Sequence, residues 1–327
     1  MPKGILERLA EGPVLGDGGY LLELEKRGYV QAGPFTPEVS LTHPSALEEL
    51  HREFLLAGAE VLQTLTFYAS EDKLATVGLV GKVDEINRAA VRIARKVASE
   101  GDALVAGNLS LTWAYEPGDR ASAAHVRELF DRQLAVQVDE GVDFVIGETF
   151  SYLGEALIAL ESIRATGLPA MVTMAFDNRP QSYEGFDAAE CARRLVDAGA
   201  DIVGVNCLRN PAGTLPFLRQ MREAVSAYLA AQPAAYRTPP EKPDFTSLPE
   251  FPLGLDPLQL SREAMADYAR EARAAGVDYI GSCCGSVAAH VRAMAQALGK
   301  LPTEGRAWRS TTGKPMSAVE HHEQSGA

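Results

Sequence analysis

The sequence predicts an α/β fold, a single-domain (β/α)8 barrel of the TIM type, and three observations carry that prediction. Short β-branched apolar runs alternate with helical stretches along the whole chain, the pattern of βαβ units around a parallel sheet. The phrases AGAEVLQTLTF, EGVDFVIGETF, AGADIVGVNCL and AGVDYIGSCCG repeat one module, in which a Gly precedes an apolar strand that ends in polar or sulfur-bearing residues. At 327 residues the chain is long for one ordinary domain but normal for such a barrel.

Taken in order, the predicted strands are 14–16, 61–65, 104–107, 144–147, 171–174, 202–206, 252–254 and 279–281. The seventh is short and bounded by proline, which central strands rarely tolerate. In the repeated module Gly58, Gly141, Gly199 and Gly276 are expected to end the preceding helix in the left-handed conformation that only glycine adopts cheaply. Each strand then delivers side chains to its C-terminal end, the end at which barrel enzymes build their active sites. Asp17, Thr64, Tyr68, Asn108, Glu148, Asn206, Cys207, Cys283 and Cys284 all fall at or just past such ends.

Two segments depart from the pattern. Residues 232–251, QPAAYRTPPEKPDFTSLPEF, are too rich in proline for regular helix or central strand, and a loop this long in a compact domain usually has a function. The polar segment 301–327 loses apolar periodicity and reads as a tail, leaving residues 1–300 as the barrel.

Composition narrows the partners. A content of 46% hydrophobic and 23% charged residues suits a globular core. The formal charge of -13 argues against nucleic acid and anionic membranes, both of which require a Lys/Arg excess, and favours a cationic or zwitterionic small molecule. The opening MPKGILERLAEG places charges where a signal peptide needs an apolar segment, so a cytoplasmic location is expected. Four cysteines are too few for a disulfide scaffold, and Cys191, alone in DAAECARRLVDAG, is expected to be a buried small hydrophobe.

The other three cysteines are placed differently. Cys283 and Cys284 are adjacent, so strand alternation would send them to opposite faces unless the chain turns, which Gly285 permits. Both sulfurs can then meet Cys207 at the barrel mouth. Three thiolates form a soft set suited to Zn(II), with Zn–S distances of about 2.3 Å and a fourth position left open for catalysis. Such a site would hold a substrate thiol, of ordinary pKa about 8.5, as thiolate at neutral pH. Two other readings stay open: three small buried residues near a tight turn, and a vicinal Cys283–Cys284 redox disulfide.

The phrases VNC (205–207) and GSCCG (281–285) resemble the two zinc-ligand motifs of the homocysteine S-methyltransferase family. GDGGYLLELEKRGYVQAGPFTPE (16–38), HREFLLAGAEVLQTLTFYASEDKL (51–74) and LPEFPLGL (248–255) resemble the betaine-dependent members of that family, in order, over about residues 12 to 299. The resemblance implies a (β/α)8 barrel that uses Zn(2+), bound by Cys207, Cys283 and Cys284, to move a methyl group from glycine betaine to homocysteine. Methionine and dimethylglycine would be the products. It further implies that Asp17 and Glu148 hold the homocysteine ammonium as the catalytic-site carboxylates, with Gly18, Thr64 and Asn206 as further contacts. Tyr68, Phe35 and Phe245 would wall the donor pocket, where ring faces stabilise a methylated cation.

Three departures bear on those expectations. Phe35 stands where the family motif GPWTPE has tryptophan, which weakens the case for betaine, and Thr149 stands where a tyrosine able to fill the fourth zinc position is expected. The long C-terminal arm of the betaine enzymes has no counterpart here, so a homo-oligomer is compatible with the sequence but their tetramer is not implied. Dimethylsulfoniopropionate, S-methylmethionine or a corrinoid protein are alternative donors. A thiol-based zinc buffer or redox sensor is the alternative of another class, in which Asp17 and Glu148 would have no purpose.

Overall fold

The computed structural model describes residues 3–301 and 316–325. Eight parallel strands form one sheet: β1 (Val14–Leu15), β2 (Val61–Gln63), β3 (Leu104–Ser110), β4 (Phe144–Phe150), β5 (Ala170–Met174), β6 (Ile202–Asn206), β7 (Tyr228–Gln232) and β8 (Tyr279–Ile280). Their order is β1-β8-β7-β6-β5-β4-β3-β2, so the sheet curls round until β1 and β2 face each other. That seam is closed without a regular ladder. The Glu60 N–H donates to the Leu15 carbonyl at 2.8 Å, and the Leu15 N–H donates to Glu60 Oε2 at 2.8 Å. This is the (β/α)8 barrel that the alternating pattern predicts, with helices packed outside the strands.

The seventh strand is a correction: it is Tyr228–Gln232, not 252–254. The segment YLAAQ has the alanine content of a helix and follows the helix Pro211–Ala224, so local propensity points the wrong way. Pairing on both sides decides instead, with Ile202 to Asn206 in register with Tyr228 to Gln232, and Ala230 and Ala231 opposite Tyr279 and Ile280. Residues 252–254 lie in a turn that follows the cis Phe251–Pro252 peptide, where the Gly254 N–H donates to the Glu250 carbonyl at 2.7 Å.

The barrel interior shows the period of two that strands impose. Its lower layer is apolar: Val61, Ala106, Ile146, Met171 and Ala230 pack together with Val14, Phe144, Ile202 and Tyr279, and the helix Ile5–Glu11 plugs the bottom with Ile5 and Leu9. Two residues further along the respective strands stand Gln63, Asn108, Glu148, Thr173 and Gln232, all buried, with Asn206 at the end of β6. A polar layer therefore sits directly on an apolar one. Outside, helices such as Val83–Ala98 bury one face, here Ile86, Ala90, Val91 and Val97, while Arg88 and Arg92 pair with Glu140 in solvent. Truncating a fully buried residue such as Ile86 to Ala would cost about 2 to 5 kcal/mol.

Smaller expectations hold as well. Gly58, Gly141, Gly199 and Gly276 have φ of 103°, 83°, 95° and 77°, and Cys191 is fully buried in the helix Ala188–Asp197, where burial pushes its thiol up to about 12. The tail falls mostly outside the described residues, but Ala318–Ser325 forms a helix that loss of apolar periodicity did not anticipate. No helix among the described residues is long and apolar enough to cross a membrane.

Candidate active site

The mouth of the barrel is shaped by strand ends that stop abruptly. Cys207 and Leu208 follow β6 with φ of 53° and 47°, and Thr149, Tyr68, Phe35 and Trp113 are also left-handed. For non-glycine residues this conformation costs free energy, and such residues concentrate at functional sites. At Cys207 it turns the side chain out of the strand alternation, toward Cys284.

After β8 the chain turns as Gly285 allows. Its φ is 80°, and a Cβ at that position would lie 2.5 Å from the Tyr236 ring, so both the conformation and the space demand glycine. The Ser286 N–H closes the turn on the Cys283 carbonyl at 3.1 Å, the Cys283 N–H donates to the Pro233 carbonyl at 2.9 Å, and the Ala235 N–H donates to the Cys284 carbonyl at 2.8 Å. The proline-rich stretch predicted to be functional is thus the frame of the cysteine loop. Phe245, within it, is buried against Tyr236 and Phe251, with ring centroids 5.1 and 5.9 Å away, and backs the cysteines instead of lining the cleft.

The three cysteines come together as expected. The Sγ atoms of Cys207 and Cys284 are 3.7 Å apart and those of Cys283 and Cys284 3.9 Å, and all three lie within 4.8 Å of one another. Tetrahedral coordination at Zn–S of about 2.3 Å requires S···S of about 3.8 Å, which the two shorter separations meet, so the donor set suits one metal ion. Electrostatics say the same. Hydrogen bonding among the three thiols holds Cys207 well below the usual thiol range and pushes Cys283 and Cys284 up, with burial and the nearby Cys207 charge adding to the rise. Only a bound cation lets all three be thiolates at once.

Beside the cysteines stands Glu148, held by three amides. Gln63 Nε2 and Asn108 Nδ2 donate to its Oε1 at 2.6 and 2.7 Å, and Asn206 Nδ2 donates to Oε2 at 2.8 Å. Burial, and secondarily the nearby Cys207, push its carboxyl up to about 8. A neutral donor set of this kind orients the carboxylate without neutralising it, leaving it ready for a cation. Asn206 in turn accepts from the Thr149 N–H and the Thr173 hydroxyl, each at 2.9 Å, and donates to the Thr149 hydroxyl at 2.7 Å. Asn206 thus bonds Glu148 on one side and Thr149 and Thr173 on the other.

Asp17, at the end of β1, is buried just behind the cleft. Its Oδ2 accepts from the Gln63 N–H at 2.7 Å and from the Tyr20 hydroxyl. Burial pushes its carboxyl up to about 7 against the opposing effect of those bonds. Gly18, Thr64, Glu148, Cys207, Cys283 and Cys284 line the cleft. Phe35 and Tyr68 are half-buried nearby: Phe35 lies 6.2 Å from Phe251, and Tyr68 carries the Lys73 ammonium 4.2 Å above its ring.

Sequence reasoning missed four residues of this region. Gln63 touches both carboxylates, and Gln232 lines the cleft with a buried Oε1 that has no donor among the described residues. Tyr20 bonds Asp17, and Trp113, 65% exposed, donates from Nε1 to the Tyr68 hydroxyl at 3.1 Å. Gln63 was findable, because it occupies the polar layer two residues above the apolar interior Val61, whereas Gln232 sits on the strand that the sequence reading misplaced.

Comparison with known proteins gives a consistent result. The chain matches the family model described as Homocysteine S-methyltransferase over residues 14–298. Betaine–homocysteine S-methyltransferase 1 of Mus musculus is 48% identical over 307 residues, covering 90% of this chain and 75% of the relative. S-methylmethionine–homocysteine S-methyltransferase of Pongo abelii is 44% identical over 303 residues, covering 90% of this chain and 81% of the relative. Among solved structures, the homocysteine methyltransferase of Escherichia coli in its metallated form aligns with a TM-score of 0.72 at 21% identity, over 88% of this chain and 98% of that one, a likeness of fold.

Proposed function

This chain belongs to the homocysteine S-methyltransferase family and is a methyltransferase acting on homocysteine; from that premise we propose that betaine or a related onium compound is its donor and that zinc is the metal held by Cys207, Cys283 and Cys284. The observation that carries the reading is the convergence of three sulfurs, spaced for one tetrahedral ion, beside a buried carboxylate aimed into the same cleft. When bound, zinc would supply stabilisation of a substrate thiolate at neutral pH.

The remaining work falls to the chain's own side chains. Glu148 accepts the homocysteine ammonium in the cleft, with Asp17 behind it as the second anion and the free Gln232 Oε1 as a neutral acceptor. Thr64 and Gly18 bound the same space. Tyr68, Phe35 and Trp113 present aromatic faces to the methylated cation, and Phe245 stiffens the wall behind. In the transfer, the homocysteine sulfur, its proton released to solvent, forms a bond to the methyl carbon as the C–N bond breaks, and the electron pair left on nitrogen takes up a proton to give dimethylglycine. Fixing sulfur and methyl carbon in line removes much of the entropic part of the barrel's task. The free cysteines suit a reducing, cytoplasmic setting.

The test is a donor panel with purified, zinc-analysed protein and homocysteine, scored by methionine formed. Turnover with betaine at one zinc per chain is expected. Turnover with S-methylmethionine alone would change the donor, and full activity with metal removed would overturn the zinc reading.

A further inference from the structure

Behind Asp17 runs a short buried chain of polar groups that the proposed function does not use. The Tyr20 hydroxyl contacts Asp17 Oδ2 on one side and His51 Nδ1, at 2.9 Å, on the other. Tyr20 and His51 come from different elements. Tyr20 precedes the helix Leu21–Lys26, and His51 lies in the middle of the helix Pro44–Ala57. The Tyr20 ring is clamped edge-on against Phe54, with centroids 5.2 Å apart and planes at 81°, and lies 4.9 Å from the His51 ring. Gly18 and Gly19 let the chain pass this close, since a Cβ on Gly18 would sit 2.6 Å from the Phe54 ring and one on Gly19 2.8 Å from the Cys283 carbonyl oxygen. The geometry is over-determined, and a hydroxyl placed between a carboxylate and an imidazole has only two ways to point.

We propose that Tyr20 is a positioning residue for Asp17, and that His51 fixes the direction in which the Tyr20 hydroxyl donates. The assignment follows from His51 Nε2, which is buried and has no partner among the described residues. If the Tyr20 hydroxyl donates to an ionised Asp17, it must accept from His51, which then carries its proton on Nδ1 and leaves a bare lone pair at Nε2. In the opposite polarity Asp17 is protonated and donates to Tyr20, Tyr20 donates to Nδ1, and an N–H is stranded at Nε2. A buried N–H without an acceptor is the rarer and costlier defect. The chain is therefore biased toward Asp17 as a carboxylate, oriented by two donors, Tyr20 and the Gln63 N–H. His51 itself stays neutral, because burial holds its pKa down near 3. The other titratable groups that act on Asp17 or Tyr20 are Tyr279 and Glu148, and neither bonds the Tyr20 hydroxyl.

This inference rests on the reading that Asp17 faces the homocysteine ammonium, so the experiment separates the two. Homocysteine KM and kcat are measured in the zinc-loaded enzyme for Asp17→Asn, Tyr20→Phe and the double variant, and His51 is observed by 15N NMR of labelled histidine. Tyr20→Phe keeps the ring against Phe54, so the fold is retained. It should raise KM about tenfold, the size expected for losing one hydrogen bond to a charged group, with a smaller change in kcat. Adding it to Asp17→Asn should raise KM no further, because the carboxylate it positions is already gone. In the wild type His51 should show a protonated Nδ1 and a bare Nε2. An Nε2–H tautomer, or an unchanged KM in Tyr20→Phe while Asp17→Asn raises it, overturns the positioning role and leaves the Asp17 reading standing. An unchanged KM in Asp17→Asn overturns that reading itself, and the inference with it.

Discussion

Gln63 ties the two site carboxylates to one residue: its backbone N–H donates to Asp17 Oδ2 at 2.7 Å, and its side-chain Nε2 donates to Glu148 Oε1 at 2.6 Å. The backbone bond survives any substitution but proline, so a side-chain change at this position isolates the Glu148 side. Gln63→Leu removes one of three donors to a buried carboxylate and should raise homocysteine KM by about tenfold, the cost of a hydrogen bond to a charged group. Metal content, read by elemental analysis, should stay at the wild-type level. A KM equal to wild type would mean that Asn108 and Asn206 alone hold Glu148.

On the proposed zinc reading the cysteine cluster offers no redundancy, since each sulfur is one of three ligands and a catalytic site keeps its fourth position open. Cys207→Ala, Cys283→Ala and Cys284→Ala should each abolish stoichiometric zinc and methionine formation together, and treatment of the wild type with a strong chelator should do the same reversibly. Retention of one zinc per chain in any of the three variants would remove that residue from the ligand set.

Most of the fold and of the site can be read in the sequence because strands carry their own ruler. Ile146 and Glu148, or Ala106 and Asn108, are two positions apart, so an apolar interior side chain announces the inward-facing polar one above it. Cys207 and the Cys283–Cys284 pair are visible for a different reason, their place just past strand ends, with Gly285 marking the turn that frees the pair from strand alternation. What stays hidden depends on distant partners. β7 is alanine-rich and is a strand only because β6 and β8 pair with it. Tyr20 and Trp113 lie outside the strands, and no periodicity predicts that one reaches Asp17 and the other Tyr68. Phe245 shows the converse, an aromatic in a loop of the right composition whose ring is turned inward to pack.

Stability of the metal-free protein should depend on pH through the two buried carboxyls. Asp17 is pushed up to about 7 and Glu148 to about 8, chiefly by burial. A carboxyl raised above its unfolded value holds its proton more tightly when folded, so its contribution is complete below about pH 4 and is lost as pH rises to the folded value. Glu148→Gln removes the Glu148 share of this dependence and leaves that of Asp17. The unfolding free energy of chelated wild type minus that of the variant should therefore decline between about pH 5 and 8, by at most about 1.4 kcal/mol per pH unit. Urea titrations at several pH values measure it, and a flat or rising difference would contradict a buried, proton-retaining Glu148.

The proposed donor pocket centres on Tyr68, whose ring already carries a cation, the Lys73 ammonium 4.2 Å from its centroid, and whose hydroxyl accepts from the indole of the exposed Trp113 at 3.1 Å. A ring face attracts a methylated ammonium that no hydrogen bond can reach, by about 1 to 2 kcal/mol once water is excluded. Tyr68→Leu keeps bulk and removes that attraction, so donor KM should rise by roughly five- to thirtyfold with homocysteine KM nearly unchanged. Trp113→Leu should act in the same direction and more weakly, because Tyr68 remains. Phe35→Trp restores the stronger cation partner and should lower KM for betaine if betaine is the donor in use. Methionine formation is followed across concentrations of betaine, dimethylsulfoniopropionate and S-methylmethionine at saturating homocysteine. Identical donor dependence in Tyr68→Leu and wild type would refute the aromatic pocket, and a wild type inactive with all three donors would shift the methyl source to a corrinoid protein.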